Sequence, residues 1–218
     1  MKERDRIIFF QRNLCLRSAR TLGEMRDPMQ SPLLGRSATF AESYHGFPIS
    51  VHVLIDGKGH HEISTGIGFL DHLLELLARY SGFDLVIRCE GDLRVDDHHT
   101  VDEVGIALGT AIKMALSAGN IGHIHRNGFY LVTMDECLTT VSLDLCGRSS
   151  LVCDVTFQRE SVGSLATELI REFLSQLCQR IPMTLIAKSE YGTNDHHKAE
   201  GLFKALGRAL AKACTNKA

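Results

Sequence analysis

The sequence predicts an α+β fold made of two copies of one unit, each a mixed or antiparallel sheet with two helices on one face. Three observations predict it. A short motif, Asp97-His98-His99-Thr100-Val101-Asp102, returns near the other end as Asp195-His196-His197-Lys198-Ala199-Glu200. Each copy leads into a long run of helical apolar period, Val104 to Leu116 and Leu202 to Ala213. Both halves also read in the same order: strands, helix, strand, helix. The repeats are placed at residues 36–119 and 120–218.

Residues 1–35 stand apart. They carry seven Lys/Arg against four Asp/Glu, followed by Pro28 and Pro32, and their apolar run Ile7-Ile8-Phe9-Phe10 is too short for a signal peptide. They are read as a poorly ordered extension. From Gly46 the pattern changes. Ile49, Val51, Val53 and Ile55 alternate with Ser50, His52 and Leu54, which predicts a strand, and Asp56-Gly57-Lys58-Gly59 a turn. His60 and His61 read as exposed hairpin residues rather than ligands. Ile67 to Tyr80 is helical, with Leu70, Leu73, Leu74 and Leu77 on one stripe and His72 off it. Phe83 to Arg88 is a strand, and the first His-His helix follows, ending near Gly119-Asn120. The second half opens with strands at Phe129–Val132, Cys137–Leu145 and Leu151–Phe157. A helix from Leu165 to Cys178 is broken by Pro182. A strand Met183–Ala187, a turn at Gly192 and the last helix complete it.

The repeated motif carries the chemistry. Random placement of 11 His and 26 Asp+Glu in 218 residues gives roughly 0.07 matches per chain to His-His-x-x-carboxylate. Two matches in matching surroundings therefore call for a function. Asp97 and Asp195 suit helix N-caps, but capping asks for neither the paired histidines nor the later carboxylate. Residues four apart share a helix face while neighbours diverge by about 100°. His98 can thus pair with Asp102, and His196 with Glu200, while His99 and His197 look elsewhere. The simplest closure is two metals, each taking a pair from one half and a single His from the other. His72 lies 26 residues before His98 and Glu172 lies 24 before His196, so these two are natural fourth ligands. Nitrogen and oxygen donors without Cys suit Mn, Fe, Zn or Ni. The bare ligand set also fits a dinuclear hydrolase, with metals about 3.5–4 Å apart; the diverging histidines favour wide separation.

Composition excludes other classes. A net charge of −2 leaves no footprint for nucleic acid or an anionic membrane, and no apolar run is long enough to span a bilayer. Seven cysteines without a C-x-x-C spacing predict reduced cytoplasmic thiols rather than a zinc ribbon.

Thr65-Gly66-Ile67-Gly68-Phe69-Leu70-Asp71-His72, Asp96-Asp97-His98-His99-Thr100-Val101, Met134-Asp135-Glu136 and Gly192-Thr193-Asn194-Asp195-His196-His197 closely resemble the imidazoleglycerol-phosphate dehydratases of histidine biosynthesis. The similarity runs from about Arg36 to Lys212. It implies a duplicated unit similar to the second domain of ribosomal protein S5, two Mn2+ per active site, and trimers assembled into a 24-subunit shell with sites at subunit interfaces. One metal would take His72, His99, His196 and Glu200, the other His98, Asp102, Glu172 and His197. The implied reaction removes water from imidazole glycerol phosphate to give imidazole acetol phosphate. Arg126, Arg148 and Lys204 are implied phosphate contacts, as suits a dianion.

The sequence departs from the family at five places. Asp102 stands for a Glu and Glu172 for a His. Tyr80 replaces a His that contacts substrate, and the chain ends Cys214-Thr215-Asn216-Lys217-Ala218 where the family has Ser-Thr-Lys-Gly. Gly46 and Phe47 stand where the family has Glu-Thr, and that Glu is an acid/base candidate. Glycine cannot move protons, and one lost general base typically costs about 10²–10⁴ in rate. Glu42, four residues upstream, is the remaining carboxylate. A catalytically impaired member, keeping its metals for assembly only, is the alternative reading.

Overall fold

The structure, a computed structural model, describes residues 35–44, 47–118 and 121–217. The extension expected at residues 1–35 thus lies outside the described residues, except Gly35. Fifteen elements follow in chain order. The first half holds β1 (Ser37–Tyr44), β2 (Phe47–Leu54), β3 (His61–Ser64), α1 (Gly68–Ser81), β4 (Asp84–Cys89) and α2 (His98–Ala118). After a 3₁₀ turn at Ile121–His123, the second half holds β5 (Asn127–Met134), β6 (Cys137–Asp144), β7 (Ser150–Asp154), β8 (Ser161–Val162), β9 (Leu165–Ala166), α3 (Glu168–Arg180), β10 (Thr184–Tyr191) and α4 (Asp195–Cys214).

The duplication is visible in the sheets. One runs β1-β2-β4-β3 and the other β5-β6-β10-β7, each with two antiparallel pairings and a parallel edge strand. Both open on an antiparallel strand pair, whose register ends at Tyr44↔Phe47 in the first and at Met134↔Cys137 in the second. Val51, Val53, Leu85 and Ile87 of the first sheet are fully buried, as are Val141, Leu185 and Ala187 in or near the second. The helices pair across the halves: α1 packs on α4 and α2 on α3. The leucine stripe Leu70, Leu73, Leu74 and Leu77 is buried as its period requires, and Phe173 of α3 stacks on Phe203 of α4 with ring centroids 5.5 Å apart.

Four local expectations are corrected. The turn after β2 does not close a hairpin: β3 pairs parallel with β4 rather than with β2. His60 is exposed, but His61 is half-buried at the start of β3 and its Nδ1 bonds the Gly59 carbonyl at 2.9 Å. The expected helix start at Leu165 is instead the second strand of the small β8–β9 hairpin. The cap of α4 is Asn194, one residue upstream of the expected Asp195, whereas Asp97 does stand at the cap position of α2, its carbonyl accepting the Val101 N–H at 3.0 Å. Asp96 accepts the His98 N–H at 3.0 Å, and Asn194 accepts that of His196 at 2.9 Å. Asp195 is buried within the first turn, accepting the N–H groups of Gln158 and Arg159 and pairing with Lys198.

Arg36 ties the compact unit's two ends. Its N–H and Nε donate to Asp56 at 2.9 and 3.0 Å, and its Nη1 donates to the Cys214 carbonyl at 2.7 Å. The Arg36 side chain, ahead of other influences, holds the Asp56 carboxyl below its ordinary value. A depressed folded pKa adds stability above the ordinary carboxylate range and loses it as pH falls through the folded value. Asp56 is 41% exposed, so screening limits the gain to less than about 1 kcal/mol. Asp56→Asn is therefore expected to lower stability slightly at pH 7 and to weaken its fall between about pH 4 and 2, read by urea unfolding.

Candidate functional site

His72 on α1 meets His196 and Glu200 on α4. Thr65 fixes the approach to α1, its N–H and hydroxyl both donating to Asp71 at 2.9 and 2.6 Å. His196 and Glu200 are one turn apart and share a face. Glu200 Oε1 lies 2.7 Å from His72 Nε2 and 3.0 Å from His196 Nε2, while its Oε2 accepts from Lys204 Nζ at 2.6 Å. The three donor atoms lie within 4.8 Å of one another, a spacing that could hold a metal ion. Burial works against ionisation of Glu200, but Lys204, His72 and His196 outweigh it and bring its pKa down to about 2. Phe69 walls this cluster, its ring centroid 5.0 Å from that of His196 and 6.2 Å from that of His72.

A second, looser set joins α2 to α3. His98 Nε2 lies 3.5 Å from Asp102 Oδ2, and both His98 and Glu172 line a cleft of about 570 Å³. Gln176 donates to Glu172 at 3.1 Å. Asp102 Oδ1 is buried without a hydrogen-bond partner. Burial pushes the Asp102 carboxyl up and Glu172 adds to it, while His98 and His99 pull it back.

The adjacent histidines diverge as helical geometry requires. The rings of His98 and His99 stand at 89°, as do those of His196 and His197. His99 lines a separate recess with Phe47, Asp92 and Val95. His197 Nδ1 lies 2.8 Å from Glu136 Oε2 on the β5–β6 hairpin, and its Nε2 lies 3.4 Å from Asp135 Oδ2. A group of Glu136, Cys137 and His197 is thereby gathered within 4.8 Å. In their own chain, neither His99 nor His197 stands among the ligands grouped with it by resemblance.

The expected substrate contacts are scattered. Arg126 lines a cleft of about 420 Å³ with Lys113, Cys146 and Ile181, its Nε donating to the Leu145 carbonyl at 3.2 Å. Arg148 is exposed. Lys204 is buried; besides its pair with Glu200 it reaches Met134 Sδ at 2.9 Å. Tyr80 lies beneath the Arg208 guanidinium, 5.2 Å from ring centroid to Cζ. Glu42 is exposed on edge strand β1, opposite Ile49, and Gly46 lies outside the described residues.

Sequence reasoning missed the places of Phe69 and Glu136 and the pairing of Lys204 with Glu200. Lys204 follows Glu200 by four residues, the spacing of a helical ion pair, so its partner was open to view. Glu136 meets His197 across 61 residues, and no local pattern signals that.

Comparison with known proteins agrees with this architecture. A family model described as imidazoleglycerol-phosphate dehydratase matches residues 65–210. The chain is 48% identical over 165 residues to the protein so named from Clostridium botulinum, covering 76% of this chain and 84% of that one. It is 45% identical over 181 residues to that of Desulforamulus reducens, covering 83% and 91%. The crystal structure of imidazoleglycerol-phosphate dehydratase from Staphylococcus aureus superposes with a TM-score of 0.75 at 31% identity, covering 83% of this chain and 99% of that one. That of the Pyrococcus furiosus protein in complex with (S)-C348 gives a TM-score of 0.70, also at 31% identity, covering 82% and 94%. With a family model matched over residues 65–210 and relatives 45–48% identical over most of their length, the chain belongs to the imidazoleglycerol-phosphate dehydratase family.

Proposed function

We propose that this protein dehydrates imidazole glycerol phosphate to imidazole acetol phosphate in histidine biosynthesis, with two Mn2+ per active site. The observation that carries the proposal is the convergence of His72, His196 and Glu200 from opposite halves of a chain of this family. The donor set fits the metal: imidazole nitrogens and carboxylate oxygens with no thiolate. In the second set, the unpartnered Asp102 Oδ1 is a group that a cation would satisfy. His72, His99, His196 and Glu200 would hold one ion, and His98, Asp102, Glu172 and His197 the other. When bound, the metals would supply Lewis acidity that favours the substrate imidazole as its anion, whose electrons can push out the hydroxide; the pair from the broken C–H bond then returns to the ring, so that proton and hydroxide leave together as water.

The chain's own residues prepare that step. Lys204 keeps Glu200 ionised, and Glu200 holds His72 and His196 together. Phe69 closes one side against water. Arg126, Arg148 and Lys204 are the cations offered to the phosphate, and Lys204 also serves the site through its pair with Glu200. No side chain at position 46 can take the carbon-bound proton, which leaves Glu42 as the candidate.

Neither His99 nor His197 is gathered with the set it would complete, which supports sites shared between copies of the chain. An apolar row on the outer face of the second sheet supports association too. Ile186 and Val152 lie side by side, with Phe129 beyond Ser142 in the same row, at 48%, 53% and 54% exposure. We take the assembly to be the trimer-based 24-subunit shell implied by the sequence resemblance. The six described cysteines are all free thiols, which supports the reducing cytoplasm. Among the described residues no helix is long and apolar enough to cross a membrane.

The test is turnover of imidazole glycerol phosphate by the Mn2+-loaded chain beside a Gly46→Glu variant. Native turnover that a chelator abolishes and Mn2+ restores is the expected result, with Gly46→Glu faster by about 10²–10⁴ if Glu42 is a poor substitute. Turnover by the variant alone would favour the catalytically impaired reading. Metal bound by both without turnover in either would overturn the dehydratase assignment.

A further inference from the structure

Glu136 gathers more polar contacts than any role assigned to it requires. It sits at the tip of the β5–β6 hairpin, beside Asp135, whose backbone is left-handed at φ 47°. Its Oε1 accepts the N–H groups of Asn194 and Thr193 at 2.8 and 3.3 Å and the Cys137 thiol at 3.3 Å. Its Oε2 lies 2.8 Å from His197 Nδ1. One carboxylate thus clamps the loop before α4 and the imidazole on its first turn.

We propose that Glu136 is a positioning residue for His197, acting by deciding which ring nitrogen carries the proton. An ionised carboxylate only accepts hydrogen bonds, so Nδ1 must donate. In the neutral ring Nε2 then holds the bare lone pair, which is the form a metal ligand needs. Asp135 faces Nε2 at 3.4 Å, beyond the tight bond made at Nδ1, so Glu136 sets the tautomer. The inference rests on His197 being a metal ligand, as proposed above.

The rival reading, a cation held by Glu136, Cys137 and His197 themselves, fits less well. Nδ1 and Oε2 already satisfy each other, and the Cys137 thiol also donates to the Asn194 carbonyl at 3.6 Å. A cation would have to displace all of these.

The test is Mn2+ affinity of the full chain, by competition with a fluorescent chelator and by electron paramagnetic resonance of the bound ion. It compares Glu136→Gln, Glu136→Asp, His197→Ala and the double variant Glu136→Gln/His197→Ala. A glutamine keeps one accepting oxygen for Asn194 but turns an amide donor toward Nδ1, which forces the proton to Nε2. Glu136→Gln is expected to weaken one of the two ions about 10–100-fold and leave the other unchanged. Glu136→Asp, still acceptor-only, should retain more affinity. The double variant should bind no more weakly than His197→Ala, because the two residues act through one nitrogen. Equal weakening of both ions would mean general loosening and overturn the inference, as would additive losses, or equal losses in the Gln and Asp variants. Wild-type binding by Glu136→Gln alone would also overturn it. Unchanged binding by His197→Ala would instead remove the ligand assignment beneath it.

Discussion

Glu200→Gln is expected to reduce turnover by about 10³-fold or more and to lower thermal stability with it. The carboxylate joins three groups: His72 and His196 at Oε1 and the Lys204 ammonium at Oε2. Only 9% of the Glu200 side chain and 10% of that of Lys204 are exposed. Removing one partner of a buried pair leaves the other charge uncompensated, here beside the Met134 sulfur and, at 5.9 Å, the Tyr80 ring centroid. The loss should be roughly 3 kcal/mol, the low end for such pairs, because the amide still accepts one bond. That corresponds to a melting temperature about 6–12 °C lower for a chain of this size. The activity loss has a separate cause, the missing ligand charge, at about 4 kcal/mol or more of transition-state stabilisation. The two effects separate in Glu200→Gln/Lys204→Met, where no unpaired ammonium remains. Melting temperature should recover while turnover does not. Wild-type turnover in Glu200→Gln would end the ligand assignment for this residue.

Gly128→Ala is expected to be the most damaging single methyl addition in the second sheet. Gly128 is buried on β5, where α4 lies across the strand. An added Cβ would stand 1.8 Å from the Ala209 carbonyl oxygen and 2.7 Å from its carbon. Both are backbone atoms, so no rotamer change relieves the clash. The strand and helix must separate, at about 3 kcal/mol, the upper end for overpacked cores. Gly68→Ala is the control, since nothing lies within 4 Å of its added Cβ. Urea midpoints should fall strongly for the first variant and hardly move for the second. β5 also carries Met134, which touches Lys204, so the separation should weaken metal retention at Glu200 as well.

The parts of this fold that could be read in advance are those where one local pattern decides. Val51 and Val53 alternate with half-buried residues on β2, and the leucines of α1 recur at helical spacing, because each element buries a single face. Strand β1 escaped notice because it lies at a sheet edge and exposes Ala41, Glu42 and Ser43. The β8–β9 hairpin has two residues per strand, too few for any period to register. At the site, the divergence of His98 from His99 and the pairing of His196 with Glu200 follow from 3.6 residues per turn. The approach of Glu136 to His197 depends on how a hairpin tip meets a distant helix, and only tertiary structure sets that distance.

The crossed pairing of helices has a bearing on ancestry. His72 on α1 meets two residues of α4, and the His98 and Asp102 pair on α2 faces Glu172 on α3, so neither half can assemble either ligand set by itself. A half-length forebear would have needed a second copy of itself to bind one metal, with its two identical chains exchanging helices as α1 and α4 now do. Fusion of two such copies would fix that partnership within one polypeptide and release the two copies from having to match. His72 and Glu172, equivalent by position yet different in chemistry, record that release.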